Sequence, residues 1–467
     1  MSGRATTPLF LLLAGLALLG ASAGAAQKAA VARDVYDLLE NDRRQVTDAD
    51  VMKLCEDKSL TELDLSGCSQ LTVACLKDIA ALKSLKLLDI SDIRNLGEPS
   101  TFAALKELPS LEELRMRNAE SFKGEGVDQL KRLKRLDVSR ASGKFGDSGF
   151  AGFKDMSGLT HLYINQSRNY HANKGMSYAG VKHLEGLVNL KALGLYGLHG
   201  LKDEDYNALF SKLKALEDLN IGFNWAHKGE GLKLPENLRI LDARESFSLL
   251  DEPILGMKKD KLESLNLFHC YKITNATLES LKGLTGLKRL ALGGIRDLTD
   301  EGLLHLQGNT GLSHLSLNDN ENFTDKGIAV LGQMNEMEAL DLWHIPNLKG
   351  PGLSSLKNMS KLRSLTLSDC KSLTDEGLQF IADKAALKEL YLDACEKITG
   401  NGLKYLSRLS GLEELTLTSC TSITPAGLAN LENLKSLKFL DLTGCTGIAP
   451  SDVHAMRESL PNCEVVF

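Results

Sequence analysis

The stretch LKRLALGGIRDLTDEGLLHLQGNTG, residues 287–311, is followed at once by LSHLSLNDNENFTDKGIAVLGQMNE, residues 312–336. Both segments have leucine at their first, fourth and sixth positions and a Thr-Asp pair in the middle. From Leu262 to Leu437 the leading residue of such a segment recurs every 25 residues. Counting from Leu60 gives sixteen units in total. The chain is therefore predicted to stack one small structural unit many times.

Each unit contains the signals for a strand and then a helix. We number positions from the leading residue, which is position +0. Alternate leucines such as Leu290 and Leu292 predict a short strand with one buried face. The Thr-Asp pair at +12 and +13 is suited to the start of a helix, because Thr caps free amides and an acid complements the dipole. Leu303 and Leu306, three residues apart, fit that helix, and Gly302 at +15 would let neighbouring helices approach closely.

The pattern LxxLxLxxC, followed by a hydrophobic residue and Thr-Asp-x-Gly-Leu-x-x-Leu, resembles the cysteine-containing leucine-rich repeat. This subtype is found in F-box substrate receptors of ubiquitin ligases and in exported bacterial repeat proteins. The resemblance covers about residues 46–467. It implies an α/β fold, a right-handed horseshoe solenoid of about 16 repeats with a parallel sheet on the concave side and helices on the convex side.

A column of cysteines accompanies the repeat at position +8. It consists of Cys68, Cys270, Cys370, Cys395, Cys420 and Cys445. Parallel side chains on adjacent turns have the wrong dihedral angle for a disulfide, so we expect buried free thiols with weak donor capacity. Disulfide pairing along the column is the alternative.

The N-terminus has the layout of a secretory signal peptide. An apolar run from Leu9 to Leu19 is too short to span a bilayer and is followed by two Ala-x-Ala sites, which predicts cleavage near Ala25. An uncleaved membrane anchor is the alternative. The sequence thus divides into a signal peptide (1–25), an N-terminal helical cap with a half-repeat (26–59), the repeat solenoid (60–462) and a terminal capping strand (463–467). The expected location is secreted or periplasmic.

Composition and motifs argue against several functional classes. Lys plus Arg number 55 against 61 Asp plus Glu, a formal charge of −6 that disfavours nucleic-acid binding. No apolar stretch in the mature chain is long enough to span a membrane. HExxH, CxxC and phosphate-loop motifs are missing, and His269 and His344 lie three turns apart, roughly 14 Å by strand spacing. We therefore expect no metal and no cofactor.

One tetrapeptide resembles a catalytic motif. Gly146-Asp147-Ser148-Gly149 copies the residues around the nucleophile of chymotrypsin-like serine proteases. In the repeat register, however, it falls at the helix start, and no His or Asp partner can be assigned to it. We expect no catalytic residues and no enzymatic activity.

The strand positions that face the concave side change character along the chain. Basic residues around Leu111 give way to aromatic and histidine side chains, and these give way to acidic and hydroxylated ones near the C-terminus. Exposed aromatic residues and arginine dominate many interfaces, although scattered ones occur on any surface. The predicted partner-binding residues are Tyr163, Tyr196, Arg244, Phe268, His269, Trp343 and His344. A polar insertion at residues 165–175 flanks them and is either a binding loop or neutral loop drift.

These observations predict an exported, non-enzymatic protein that binds a protein or an extended polymer on its concave face. The alternative is a substrate-receptor-like subunit of a ubiquitin ligase, which the F-box resemblance suggests. That alternative requires a cytosolic protein with an adaptor-binding segment, and we see no F-box-like segment before the repeats.

Overall fold

The computed structural model describes residues 35–141, 145–166 and 176–467. In this part of the chain, three-residue strands form one parallel sheet in which each strand pairs with the next along the chain. The strands are β1 (Glu62–Asp64), β2 (Leu87–Asp89), β3 (Glu113–Arg115), β4 (Arg135–Asp137), β5 (His161–Tyr163), β6 (Ala192–Gly194), β7 (Asp218–Asn220), β8 (Ile240–Asp242), β9 (Ser264–Asn266), β10 (Arg289–Ala291), β11 (His314–Ser316), β12 (Ala339–Asp341), β13 (Ser364–Thr366), β14 (Glu389–Tyr391), β15 (Glu414–Thr416), β16 (Phe439–Asp441) and β17 (Glu464–Val466).

The register of the sheet follows the sequence repeat. Equivalent residues of successive units are paired, for example Leu290 with Leu315. The middle residue of every strand is buried, so the +3 side chains form one column of the core. The +2 and +4 side chains lie on the opposite, solvent-facing side, which we call the sheet surface. The predicted α/β repeat solenoid, with one parallel strand per unit, is confirmed.

Short helices follow most strands. The α-helices are 35–41, Asp48–Leu54, Leu76–Ile79, Pro99–Leu105, Tyr178–Val181, Asp203–Phe210, Glu252–Gly256, Asn275–Ser280, Asp300–Leu303, Asp325–Ile328, Asp375–Leu378, Gly400–Leu406, Pro425–Leu428 and Pro450–Ser459. The 3-10 helices are Arg43–Gln45, Val73–Cys75, Val127–Gln129, Asp147–Phe153, Lys182–Leu184, Leu304–Gly308, Ala329–Gln333, Pro351–Asn358 and Ala429–Leu431.

One repeat departs from the predicted order of strand, loop, helix and loop. Between β7 and β8 the structure has no helix, although every residue of this segment is described. The segment contains Gly229 and Gly231 with positive φ angles of 88° and 69°, and Pro235 follows them. Left-handed glycines and a proline break the run of helical dihedral angles that a helix needs. The prediction of a helix is wrong for this unit.

Neighbouring units are joined by the acid at +13. Asp375 accepts hydrogen bonds from the backbone N of Thr399 at 2.8 Å and from its hydroxyl at 2.6 Å. A Cβ atom at Gly402 would lie 2.3 Å from Asp375 Oδ1, so the glycine at +15 leaves the room that the carboxylate occupies. The Thr-Asp-x-Gly motif therefore makes contacts between units as well as starting a helix.

The cysteine column lies inside the solenoid. All six cysteines of the column are buried and free. In five of them the thiol donates to a backbone carbonyl of the preceding unit at 3.0–3.2 Å, as Cys395 does to Leu367. Asn320 occupies the same position and makes the equivalent contact, from its Nδ2 to the Leu292 carbonyl at 3.0 Å. Position +8 thus supplies a donor to a buried carbonyl.

The chain turns sharply after each strand. Position +7 has a positive φ in nearly every unit, at Gly67, Asp92, Asn118, Arg140, Gly197, Phe223, Glu245, His269, Gly294, Asp319, His344, Asp369, Ala394, Ser419 and Gly444. Residues other than glycine adopt this left-handed conformation at a cost of about 1–2 kcal/mol. The regular turn places one side chain of each unit in a row along this edge of the sheet.

Candidate functional site

The sheet surface contains a shallow depression across β9 to β13, which we call the central groove. Its volume is about 340 Å³. The solvent-facing side chains that line it are Ser264, Asn266, Arg289, Ala291, His314, Ser316, Ala339, Asp341, Ser364 and Thr366. Most of these side chains are small, whereas bulkier groups occupy the same positions further along the sheet, as Tyr391 on β14 and Phe439 on β16 do. Five strands are separated by four spacings of about 4.8 Å, so the groove is roughly 19 Å long.

The lining of the groove carries one cation and one carboxylate, Arg289 and Asp341. Asp341 accepts hydrogen bonds from the backbone N of Trp343 at 3.0 Å and from the Ser316 hydroxyl at 3.1 Å. Burial raises the pKa of this carboxyl above its ordinary value. Burial, and then the nearby charge of Arg289, lower the pKa of His314 below its ordinary value, which favours the neutral ring.

A row of histidines and aspartates at position +7 follows the strands that form the groove, three residues after the last lining position of each unit. His269 Nε2 lies 3.6 Å from Asp319 Oδ2, and His344 Nε2 lies 3.9 Å from Asp319 Oδ1. His344 Nδ1 in turn contacts Asp369 Oδ2 at 2.5 Å. We call these four residues the histidine–aspartate edge. His269 and His344 are three turns apart, and Asp319 lies between them, within 4 Å of both rings.

Gly294 makes the contact between His269 and Asp319 possible. It occupies position +7 between the two, and a Cβ atom there would lie 2.0 Å from His269 Cδ2. The imidazole therefore lies over the glycine and reaches a unit two turns away. Any other residue at this position would occupy the space of the ring.

Two aromatic side chains stand beside this edge. Phe268 stacks on His269 with ring centroids 3.9 Å apart and planes at 24°. Trp343 lies against His344 at 5.3 Å and 36°, and 40% of its surface is exposed. Four of the seven predicted binding residues thus lie along one edge, just after strands β9 and β12 of the central groove.

Two other predicted residues form a separate contact. The Arg244 guanidinium lies over the Tyr196 ring at 5.4 Å, and its Nε is 3.4 Å from Asp242 Oδ2. Tyr196 itself is buried, and its hydroxyl donates to Glu245 at 2.9 Å. The expectation of an exposed tyrosine is therefore wrong at this position, because the ring stacks between Phe223 and the arginine. Arg244 remains exposed.

Tyr163 and the predicted loop lie elsewhere. Tyr163 is half-buried on β5, beside Arg135 and Asp137, and does not line the central groove. Residues 167–175 of the insertion are outside the described residues. Of the rest of the loop, Asn165 Oδ1 accepts from the backbone N of Tyr196 at 3.0 Å.

The structure also shows an aromatic row that the sequence analysis does not include among the binding residues. At position +9, ring centroids of successive units are 5.5 Å apart for His199 and Trp225, 6.1 Å for Trp225 and Phe247, and 5.3 Å for Phe247 and Tyr271. The Arg296 guanidinium lies over the last ring at 5.3 Å. Aligning the sequence at +9 would have revealed this row.

A serine, a histidine and an aspartate meet in the interior. His227 Nε2 is 3.3 Å from Ser246 Oγ, and its Nδ1 is 3.7 Å from Asp203 Oδ1. His227 and Ser246 are fully buried, so the hydroxyl cannot meet a substrate. The carboxylate is also too far from the ring for a hydrogen bond.

Asp147, in the tetrapeptide that resembles a serine-protease motif, has a structural role. It accepts two hydrogen bonds from Ser177 of the next unit, at 2.7 and 2.6 Å.

Comparison with known proteins agrees with this architecture. A family model for a leucine-rich repeat matches residues 358–382. A leucine-rich repeat protein of Leptospira interrogans superposes with a TM-score of 0.52 at 20% identity, over 91% of this chain and 100% of that chain. The chain has the leucine-rich repeat fold. No curated protein matches its sequence.

Two further leucine-rich repeat neighbours are more distant. A chain of the yeast Rad7–Elc1 complex gives a TM-score of 0.47 at 17% identity, with 86% of each chain covered. An internalin of Listeria monocytogenes gives 0.35 at 17% identity, with 94% of each chain covered. At such identities the likeness concerns the fold.

The described residues offer no support for metal binding or for insertion into a membrane. Among the described residues, no three histidine, cysteine or acidic side chains are arranged to hold a metal ion. No helix in the described ranges has the length and apolar character needed to cross a bilayer.

Proposed function

We propose that this leucine-rich repeat chain is an exported, non-enzymatic binding protein that holds a protein or an extended polymer on its sheet surface. The observation that carries the proposal is the central groove with the edge beside it, where His269 and His344 both approach Asp319 and each contacts an aromatic ring, Phe268 or Trp343. A surface that collects exposed aromatic, histidine and arginine side chains beside a depression has the composition of a binding site.

The site is rigid before any ligand arrives. The backbone at positions +6 and +7 continues the hydrogen bonding of the sheet, as in the bond from His344 N to the Ser368 carbonyl at 2.9 Å. Asp369 Oδ2 lies 2.5 Å from His344 Nδ1 and orients the ring, while Asp319 lies 3.9 Å from the other ring nitrogen. Side chains that are already held in place lose little conformational entropy on binding, which favours affinity.

The non-enzymatic part of the proposal rests on the open form of this surface and on the buried state of the Ser246–His227 contact. A binding surface five strands long suits an extended ligand better than a small substrate, which needs an enclosing pocket. Export rests on the sequence of residues 1–25 alone. Identifying the N-terminal residue of the protein purified from its source tests it, and a terminus that retains Met1 or Ser2 would contradict it.

The binding surface is tested with the double variant Phe268→Ala and Trp343→Ala. We expect the immobilised protein to capture a ligand from the extracellular or periplasmic fraction of its source, and the variant to lose this capture while its circular dichroism is unchanged. Val188→Ala, which truncates an exposed side chain far from the groove, is the matched control. Equal capture by the double variant and the control would contradict the assignment.

A further inference from the structure

The central groove has its polar groups in the middle and its aromatic groups at one side. Hydroxyl and amide side chains occupy its floor on β9, β11 and β13, and Phe268 and Trp343 stand beside it. Protein interfaces commonly have the reverse arrangement, with aromatic anchors at the centre and a polar rim. The distribution of chemistry therefore disfavours a folded protein as the occupant.

An extended peptide is also a poor fit. Peptides that bind sheets as extra strands pair with an exposed edge through their backbone. The groove lies on the face of the sheet, and the strands that form it are paired on both sides. Backbone groups are not offered to a ligand there, so recognition depends on side chains.

The charge of the groove disfavours a polyanion. Its floor carries one cation, Arg289, and one carboxylate, Asp341, and the carboxylates of Asp319 and Asp369 lie in the histidine–aspartate edge beside it. A strand of nucleic acid or a polyuronate requires an excess of cations to replace its counterions. The floor, with one charge of each sign, complements an occupant without net charge.

We propose that the central groove binds a neutral polysaccharide chain. This inference rests on the proposed function, because it names the ligand class of the same surface. Sugar hydroxyls both donate and accept, and the groove offers acceptors on Asp341, donors on Arg289, and hydroxyl and amide groups that do both. A Trp ring presents a flat apolar surface with a polar N–H, to which the C–H face of a sugar ring is complementary.

The geometry of the groove suits a repeating ligand. Side chains of successive units recur about every 4.8 Å along the roughly 19 Å of the groove. A linear polysaccharide presents similar hydroxyl groups once per sugar ring, a repeat of comparable length. A chain that lies across the strands can therefore place about one sugar ring against each successive unit.

The test uses Trp343 as a reporter. The chain has two tryptophans, so Trp225→Phe leaves Trp343 as the single tryptophan, which excitation at 295 nm selects over the tyrosines. This variant of the mature protein is titrated with cellohexaose, chitohexaose and maltohexaose, and with hexagalacturonate as an anionic probe. We expect saturable fluorescence change and calorimetric binding for at least one neutral hexasaccharide and none for hexagalacturonate.

Matched variants locate the site. Asp341→Asn removes the charge but keeps an oxygen for the Trp343 amide, and we expect about tenfold weaker binding from the loss of a charged hydrogen-bond acceptor. Asp441→Asn is the control, because Asp441 occupies the same position and accepts from the Thr443 amide at 2.8 Å outside the groove. We expect its affinity to be unchanged.

The outcomes separate this inference from the proposed function. If no neutral hexasaccharide binds, if hexagalacturonate binds more tightly, or if both Asn variants lose affinity equally, the polysaccharide assignment is wrong. The proposed binding surface can still be correct in that case. It is supported if the Phe268→Ala and Trp343→Ala double variant loses capture of a natural ligand and that ligand proves to be a protein.

Discussion

Thr324 donates two hydrogen bonds to Asp300 of the preceding repeat, from its backbone N at 2.9 Å and from its hydroxyl at 2.6 Å. The same hydroxyl accepts from the backbone N of Lys326 at 3.1 Å, which caps the helix of its own repeat. One threonine thus starts a helix and joins it to the neighbouring repeat. Because each repeat contacts mainly its neighbours, such joints carry much of the cooperativity of the solenoid.

Removing the carboxylate should weaken this joint. We expect Asp300→Ala to lower the free energy of unfolding by about 1–3 kcal/mol, since it leaves the Thr324 groups unpaired. Asp300→Asn should cost less, because Asn275 already makes the equivalent contacts with Thr299 at 3.2 and 2.9 Å. Urea denaturation measures both, with exposed Asp297→Ala as the control. Equal effects of the two Ala substitutions would contradict the role of Asp300.

Gly327 should resist a substitution that normally stabilises helices. Alanine favours a helix over glycine by about 1 kcal/mol. At Gly327, however, the new Cβ would lie 2.2 Å from Asp300 Oδ1. We expect Gly327→Ala to destabilise the protein, and to do so less when Asp300 is alanine. A double-mutant cycle measures the coupling, and additive effects would show that the two residues do not interact.

Ala394 adopts the left-handed conformation, with φ 53°, at position +7. A Cβ is strained there, so we expect Ala394→Gly to raise the free energy of unfolding by about 1 kcal/mol. Ala426→Gly, on an exposed helical residue, should lower it by about 0.5–1 kcal/mol. The same change therefore has opposite signs at the two positions, which thermal or urea unfolding detects. A loss of stability at both would contradict the strain.

His227 should make the protein sensitive to mild acid. Burial lowers its pKa from 6.5 to about 4, so the unfolded chain takes up a proton at higher pH than the folded one. Its contribution to stability is complete above pH 6.5 and is lost as the pH falls towards 4. The loss amounts to about 3 kcal/mol.

The control for this prediction is His227→Leu, which restores the hydrophobic residue found at +11 in other repeats. We expect unfolding of this variant to depend less on pH between 6.5 and 4. Burial also raises the pKa of nearby Asp203. Protonation of this carboxyl therefore favours the folded state and offsets part of the loss of stability at the acid end of the range. A pH profile identical to that of the unaltered protein would show that His227 does not titrate as expected.

The cysteines should resist alkylation while the protein is folded. Eight of the nine are buried and Cys463 is partly exposed. Burial raises the pKa of Cys463 to about 11 and that of Cys420 to about 12, and thiolates are the reactive form. We expect at most one thiol to react with a maleimide at pH 7 in the native state and nine in guanidinium. Rapid labelling of several native thiols would contradict the buried column.

The sequence by itself determined the repeat and the assignment of side chains to the core. Leu290, Leu292 and their equivalents have a local period, and local periods decide which side of a strand is buried. The positions of Phe268 and Trp343 on the sheet surface followed from the same register. These properties depend on residues close together in the chain, which explains why pattern alone reaches them.

The tertiary structure decided how side chains of different repeats meet. His269 reaches Asp319 only because Gly294 leaves the intervening turn empty, and His344 meets the same carboxylate from the other side. Tyr196 is buried because the Phe223 ring and the Arg244 guanidinium of the following repeats cover it. Each case depends on the left-handed turn at +7 and on the side chain present one or two turns away. Such contacts join residues 25 to 50 positions apart, so no local pattern encodes them.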